Sequence, residues 1–578
     1  MSAPPEPAPP GALEARGAGP GLESSDDGDI LLASMGYKAE LVRTRSTWHV
    51  AFMSFVLASI PYGLATTLYY PLQGGGPVVV VWGWLLVSLI ILCVASSLGE
   101  ITSVYPTAGG VYYQTFMLAP TNFRRVAAYI CGWAYVVGNI TITLAVQFGT
   151  TLFFVACVNV FEKEPGVGVW DGAAYQVFLT FLAITLLCNA ISTFGNRWLH
   201  LLDVSLPALN RVPLLPPVYT APVDTDTDMH TCSQTFAIFW TFAGLLAILI
   251  TILAVAKEGR RNADFALGGF EVTSGWPAGW SFCVGLLHAA YATSSTGMVI
   301  SMCEEVQRPA TQVPKAMVIT IVINTIGGLL FLVPLMFVLP DLAMLVALPS
   351  AQPVPTIIKS AVGSSGAAIA LLIPLMVLAI LCGVACTTAA SRCTWAFARD
   401  GAIPGSKWWK QVHPTLDLPL NAMMLSMAIQ IVLGVIYFGS YTAFNAFSGV
   451  GVISLTVSYA APIAVSMLEG RAQVKGAKFS LGKLGWVCNS VAIGVSFFLL
   501  PFPPPMPSLT VASLVHPRRP PFLHACLSPR HRRQRQLRAR RVCWFRCYRF
   551  CVVLRLGPQE LPRPADRESR RGPYAGGA

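Results

Sequence analysis

Two short runs carry the residue types from which a site for a small polar molecule can be built. In the first, Ser59-Ile60-Pro61-Tyr62-Gly63, a proline and a glycine interrupt the apolar stretch FVLASIPYGLATT. In the second, Thr293-Ser294-Ser295-Thr296-Gly297 interrupts an apolar run that begins at Trp280 and resumes as MVISM. A helix broken midway through a bilayer frees backbone groups that lipid cannot satisfy, so such a break persists only where it lines a cavity. Free N–H groups at a half-helix N-terminus suit a carboxylate, while freed carbonyls suit an ammonium or a metal cation. The rings of Tyr62 and Tyr291 offer faces to a quaternary amine. Taken singly, each run also reads as a proline kink or a Ser/Gly packing seam. Their matching positions, one at the head of each half of the chain, favour a shared midplane site. Ser59, Ile60, Pro61, Tyr62, Gly63, Tyr291, Ser294, Ser295, Thr296 and Gly297 are the substrate-binding candidates.

His288, inside the same interrupted run, titrates near neutral pH and is a candidate carrier of a coupling proton. A neutral histidine hydrogen-bonded across helices is the competing reading. Glu100, Glu304 and Glu305 mark the ends of apolar segments and suggest a gate paired with Arg308 or Arg399, although solvated interfacial charge is the more ordinary assignment. Fifteen cysteines are scattered without a C-x-x-C pair and read as small hydrophobes. Cys543, Cys547 and Cys551 share a helical spacing, but no metal site is expected.

The elements that must position these residues are membrane spans. The chain has 578 residues, 54% hydrophobic and 11% charged, which excludes a set of soluble domains. Eleven apolar segments of spanning length run near 47–69, 78–101, 126–156, 174–194, 235–256, 278–302, 315–339, 366–390, 420–438, 441–467 and 485–503. The net charge of +12 resides in an Arg-rich, Lys-free tail from Pro504 onward, so a nucleic-acid partner is not indicated; the partner of the body is the lipid bilayer. Residues 1–46 form a Pro/Gly-rich segment expected to be a disordered cytosolic tail, without a cleavable signal. Threaded from a cytosolic N-terminus, the inner loops carry fourteen Lys and Arg against five in the outer loops, as the positive-inside rule requires. Residues 99–114, GEITSVYPTAGGVYYQ, read as a tight cytosolic connection, with Tyr105, Tyr112 and Tyr113 suited to the interface.

YPTAGGVYY, CEEVQRPATQVPKA, SRCTWAFARDGAIP and GWSFCVGLLHAAY, in this register, resemble the amino acid–polyamine–organocation transporter superfamily. GGGPVVVVWGW and NRWLHLLD resemble its fungal amino acid/choline branch, which includes GABA and choline permeases. The resemblance covers about residues 36–503 and implies an all-α polytopic 5+5 inverted-repeat transporter fold. Repeat one would be 47–256 and repeat two 278–467, followed by further helices, of which 485–503 is one. It marks Glu100, Tyr105, Pro106, Gly109, Gly110, Glu304, Glu305, Arg399 and Asp400 as motif and gate positions. It also places a candidate sodium site at Thr387, Thr388 and Ser391, although hydroxyls there also serve as ordinary helix glue. No cofactor is implied beyond a coupling proton or sodium ion.

Two stretches depart from that pattern. Residues 204–234 are an insertion whose opening Val-Ser, closing Cys-Ser-Gln and repeated Thr-Asp fit an in-frame retained fungal intron; a natural loop insertion is the other reading. From residue 504 an Arg/Pro-rich tail stands where a twelfth span belongs. The expected function is secondary active transport of a small amine or amino acid by alternating access, in the plasma membrane or an endomembrane. Choline, GABA, a neutral amino acid and a polyamine all fit, the first two leading by resemblance. A non-transporting nutrient receptor of the same fold is the alternative. A membrane enzyme ranks last, since no metal cluster or nucleophile–base pair is present.

Overall fold

Long apolar runs without access to water close their hydrogen bonds within the segment, and here they do so as helices. The computed structural model describes residues 54–499 apart from 165–166, 171–172, 204–227, 257–259, 307, 349, 414–417 and 439–440, together with Leu32, Ala33, Met35 and Tyr37. Most of the insertion and of the N-terminal segment, and all of the tail with Cys543, Cys547 and Cys551, therefore lie outside the described residues. The described residues all belong to one unit.

Helical residues 54–58, α1 (Ile60–Thr67) and α2 (Tyr69–Gly75) make the first span. Gly76, at φ 71°, is a one-residue hinge into α3 (Pro77–Val104). Then come α4 (Gly110–Leu118), α5 (Arg124–Val158), α6 (Ala174–Asp203), α7 (Asp228–Val255) and the short α8 (Ala263–Gly268). The sixth span joins α9 (Ala278–Gly285), α10 (Leu287–Thr293) and a 3₁₀ helix (Ser294–Glu305). It is followed by α11 (Pro309–Phe337), the short α12 (Leu342–Val346) and α13 (Pro353–Val362), then α14 (Ser365–Arg399), α15 (Leu420–Val435), α16 (Tyr441–Leu468) and α17 (Leu484–Leu499). A two-stranded antiparallel hairpin, Glu162–Glu164 with Val167–Gly168, is the only sheet among the described residues.

Eight of these helices are long and apolar enough to cross a membrane, which makes the protein polytopic and helical. Of the other three expected spans, the first is interrupted at Ser59, and the fifth and eleventh lie in α7 and α17. Two boundaries differ from expectation. The connection read over 99–114 is confined to residues 105–109, with α3 running to Val104 and α4 beginning at Gly110. Helix α7 starts at Asp228, inside the expected insertion, where an acid at the N-terminus and no glycine or proline favour helix. The N-terminal segment also departs from an unstructured tail: Leu32 and Met35 are buried. Their apolar side chains join the core.

Most of the core among the described residues falls into two apolar clusters, with two smaller ones beside them. One of the large clusters gathers Leu57, Leu98, Val111, Met298, Phe397 and Leu455; the other gathers Ala58, Ile60, Leu64, Trp84, Phe331 and Leu375. The end of the bundle bearing the 105–109 turn is called the inner end below. The divide between the two large clusters falls at the break in the first span, where consecutive residues Leu57 and Ala58 belong to different clusters.

Candidate functional site

Pro61 sets the geometry of the first break. A helix would pair the Leu57 carbonyl with the N–H four residues on, and proline has none. The chain responds at Ser59, which adopts φ 42° and ψ 50°, a left-handed conformation that a side chain normally avoids. The orphaned Leu57 carbonyl is satisfied from elsewhere: Ser295 Oγ donates to it across 3.0 Å, and the Cys382 thiol across 3.5 Å. The first break is thereby tied to the second and to α14.

The second break is not an unwound loop. From Ser294 the helix tightens to 3₁₀ and stays so through Glu305, an unusual length for that form. Its hydroxyls show the local cause. Ser294, Thr296 and Ser301 each donate to the carbonyl three residues back, at 2.8, 2.7 and 2.7 Å, competing with the α-helical pattern. Two aromatic hydroxyls occupy further carbonyls: Tyr459 donates to Ser294 O at 3.1 Å and Tyr135 to Gly297 O at 3.3 Å.

The two broken spans run antiparallel. Leu57 meets Ser295, Gly63 faces Ala292 and Thr67 meets His288, so one number rises as the other falls. Small residues permit this approach: a Cβ on Gly63 would lie 3.4 Å from Ala292 Cβ, and one on Gly74 only 2.8 Å from the Ser281 carbonyl. Where the breaks meet there is a cavity lined by Leu57, Ala58, Tyr62, Gly63, Tyr291, Ala292, Ser294 and Ser295, with Ile142 and Val146 from α5 and Cys382 and Cys386 from α14. No lining side chain is charged. Tyr62 is fixed by its hydroxyl, which donates to Val146 O and pairs with Thr150 Oγ1, both at 2.8 Å. The space open to the centre of a water-sized sphere is about 20 Å³, room for about one water.

Of the ten substrate-binding candidates, Tyr62, Gly63, Tyr291, Ser294 and Ser295 line this cavity and the others do not. Ile60 packs in the cluster of Ala58, Leu64 and Trp84. Pro61 acts through the donor it lacks, and Ser59 Oγ is buried with no hydrogen-bond partner. Thr296 bonds its own helix, and Gly297 makes room for Tyr459, whose ring would lie 2.5 Å from a Cβ there. Sequence reasoning missed Cys382, Cys386, Ile142 and Val146. Only packing brings them here, and no residue pattern announces it.

His288 is 1% exposed. Its Nδ1 lies 2.8 Å from Thr67 Oγ1, and its Nε2 has no partner. The three candidate sodium-site hydroxyls do not converge on the cavity. Thr387 donates to Gly383 O and accepts from Gln147, Thr388 donates to Val384 O and meets Ser192, and Ser391 donates to Thr388 O and accepts from Arg392. The α14 residues that do reach the first break are the two cysteines.

At the inner end, the ordinary assignment of solvated carboxylates is overturned: Glu100, Glu304 and Glu305 are 2%, 2% and 6% exposed. A buried carboxylate requires a counter-charge, and each has one. Glu304 takes a bidentate grip from Arg399, at 3.0 and 2.9 Å, and the Ala108 N–H at 3.0 Å. Glu305 pairs with Arg392 at 2.7 Å, and Glu100 with Arg471 at 2.6 Å. Arg308, the other expected partner, is exposed at the head of α11. The turn at Tyr105, Pro106, Gly109 and Gly110 aims the Ala108 N–H at Glu304; Gly110 sits at φ 56°, where a side chain would be strained.

Tyr112 and Tyr113 are buried rather than interfacial, because Asp400 and the N-terminal segment cover them. Tyr112 donates to Asp400 at 2.8 Å, Tyr37 donates to both Asp400 oxygens at 3.1 Å, and Tyr113 donates to Met35 O. The Arg399 guanidinium lies 4.2 Å from the centre of the Tyr37 ring. Burial pushes the Asp400 carboxyl above its ordinary value, with Arg399 pulling partly the other way. Arg392 stood in the sequence beside Arg399, in SRCTWAFAR, and that motif was a legible signal for it.

A family profile described as "Amino acid permease" matches residues 46–218 and 229–517. The chain is 27% identical over 474 residues to the choline transporter of Saccharomyces cerevisiae, covering 81% of this chain and 77% of that protein. It is 26% identical over 477 residues to the GABA-specific permease of the same yeast, covering 81% and 76%. To the amino-acid permease BAT1 of Arabidopsis thaliana it is 28% identical over 479 residues, covering 81% and 86%.

Proposed function

Since this chain belongs to the amino acid permease family and is a transporter rather than an enzyme, we propose that it moves a small amine or amino acid, with choline and GABA leading, by alternating access across a fungal plasma membrane, its N-terminus in the cytosol. One observation carries the reading: an uncharged cavity lies where two broken, antiparallel spans meet. Its polar groups suit a molecule bearing its own charge. The N–H groups at the head of α1 and the positive end of that helix attract a carboxylate. The Leu57 and Ser294 carbonyls, with the faces of Tyr62 and Tyr291, suit an ammonium or trimethylammonium. Because the cavity holds about one water, its walls must part to admit a substrate and close around it. The buried pairs Glu304–Arg399, Glu305–Arg392 and Glu100–Arg471 are the groups whose separation and hydration would open the inner end.

For coupling, a proton is favoured over sodium. His288 stands between the two broken spans with one ring nitrogen unpartnered, whereas the hydroxyls of Thr387, Thr388 and Ser391 are engaged with carbonyls of their own helix. Uptake of a radiolabelled panel of choline, GABA, neutral amino acids and polyamines into vesicles, with pH and sodium gradients imposed separately, tests both parts. A panel without any accumulated member refutes transport. Accumulation driven by sodium alone refutes the proton. If His288 carries it, His288→Gln retains exchange of bound substrate but loses accumulation against a gradient.

A further inference from the structure

The wall that α14 contributes to the cavity consists of two thiols. Cys382 and Cys386 are one turn apart and so share a face, and no other α14 residue lines the space. Cys382 is also a structural contact, donating to the Leu57 carbonyl that Pro61 leaves without its helical partner. The Cys386 carbonyl accepts from Thr143 of α5 at 3.3 Å, which fixes that turn of α14 against its neighbour. Both cysteines are free and buried. In apolar packing a thiol is inert, because the attacking species is the thiolate and burial disfavours it. Opening the cavity brings water to the same two groups and changes that.

We infer that Cys382 and Cys386 form the α14 contact for substrate and, when the cavity opens, a modification site for thiol-directed electrophiles that arrests transport. This rests on the transport reading above. The arrest follows from size. A closed cavity with room for about one water cannot accommodate an adduct of several heavy atoms, so an adduct on either sulfur holds the walls apart. On Cys382 it also removes the donor to the Leu57 carbonyl. The chemistry balances without an added oxidant. With an alkyl methanethiosulfonate, the thiol gives its proton to water and the thiolate attacks the sulfenyl sulfur. An S–S bond forms, the S–SO₂ bond breaks, and methanesulfinate leaves with the electron pair.

The test uses the full chain in proteoliposomes and the membrane-impermeant reagent (2-trimethylammonioethyl) methanethiosulfonate, whose trimethylammonium head shares the chemistry of choline. Adducts are mapped by peptide mass spectrometry, and choline and GABA uptake are measured before and after treatment. The expected result is adduct on Cys382 or Cys386, slowed by saturating amounts of whichever amine is transported, with uptake falling to background and returning after dithiothreitol. A Cys382→Ser/Cys386→Ser variant, compared with its own untreated rate, keeps its remaining uptake after reagent. The inference is overturned if the half-buried Cys93, Cys283 or Cys488 is labelled while Cys382 and Cys386 stay unmodified, or if the serine variant is inhibited as strongly. Mapping needs no transport, so the two failures separate. Uptake without labelling at these positions sinks this inference alone; labelling without uptake of any amine sinks the transport reading.

Discussion

At the inner end, three carboxylates are buried and each meets an arginine within 2.9 Å; at the midplane, the cavity has no charge at all. The inner end is densely bonded, with Glu304 alone held by two arginine nitrogens and a backbone N–H, although Arg399 Nε and Arg471 Nε have no partner. The midplane is more sparsely bonded, with Ser59 Oγ and His288 Nε2 left without partners and Leu57 O relying on donors from two other helices. Ion pairs in a dry interior hold strongly until water enters, which suits a closure that is either made or broken. Neutral groups with spare hydrogen-bonding capacity suit a place where a visiting molecule supplies what is missing.

The contrast can be broken most directly at Glu304. Glu304→Gln leaves Arg399 buried without its counter-charge, and stability in detergent should fall by about 3–5 kcal/mol. The Glu304→Gln/Arg399→Met double variant should recover part of that loss. A thermal midpoint unchanged by the single substitution would mean that the pair is already hydrated.

Next in size come the glycines of the breaks. Gly297→Leu forces the Tyr459 ring aside and Gly63→Leu fills the cavity beside Ala292. Each should abolish uptake while protein still reaches the membrane, at a packing cost of about 1–3 kcal/mol. Normal kinetics in both variants would show that the cavity is not on the substrate's path.

Tyr37→Phe removes both hydrogen bonds from the N-terminal segment to Asp400, a loss of about 1.5–3 kcal/mol for a charged acceptor. Asp400 adds a pH signature. Its folded-state value is raised, so the folded chain binds more protons than the unfolded one between the two values. Stability from this group is then present at low pH and lost as pH rises through the folded value. Asp400→Asn should flatten that slope in melts collected across the acidic range; an unaltered slope assigns it to other groups.

The smallest effects are expected at Thr387→Ala, Thr388→Ala and Ser391→Ala. Each removes a neutral hydroxyl, worth about 0.5–1.5 kcal/mol, and should leave the ion dependence of uptake unchanged. Loss of a sodium requirement in any of them would return these hydroxyls to the site.

The sequence by itself determined what is local or compositional. Spans follow from apolar length, the first break from Pro61, and the tightened second break from its run of hydroxyl residues. The four motifs placed the chain in its family. Tertiary structure alone decided which residues meet. Glu305 pairs with Arg392, 87 positions away, and Glu100 with Arg471, 371 positions away. Side-chain type fixes that a buried acid needs a base, but not which one. The same limit hid the thiol wall: a cysteine in an apolar span looks alike in every register, and only the rotation of α14 against the first break turns Cys382 and Cys386 toward the cavity. Gly297 shows the reverse case, a residue of the expected type whose missing side chain makes room for the Tyr459 ring.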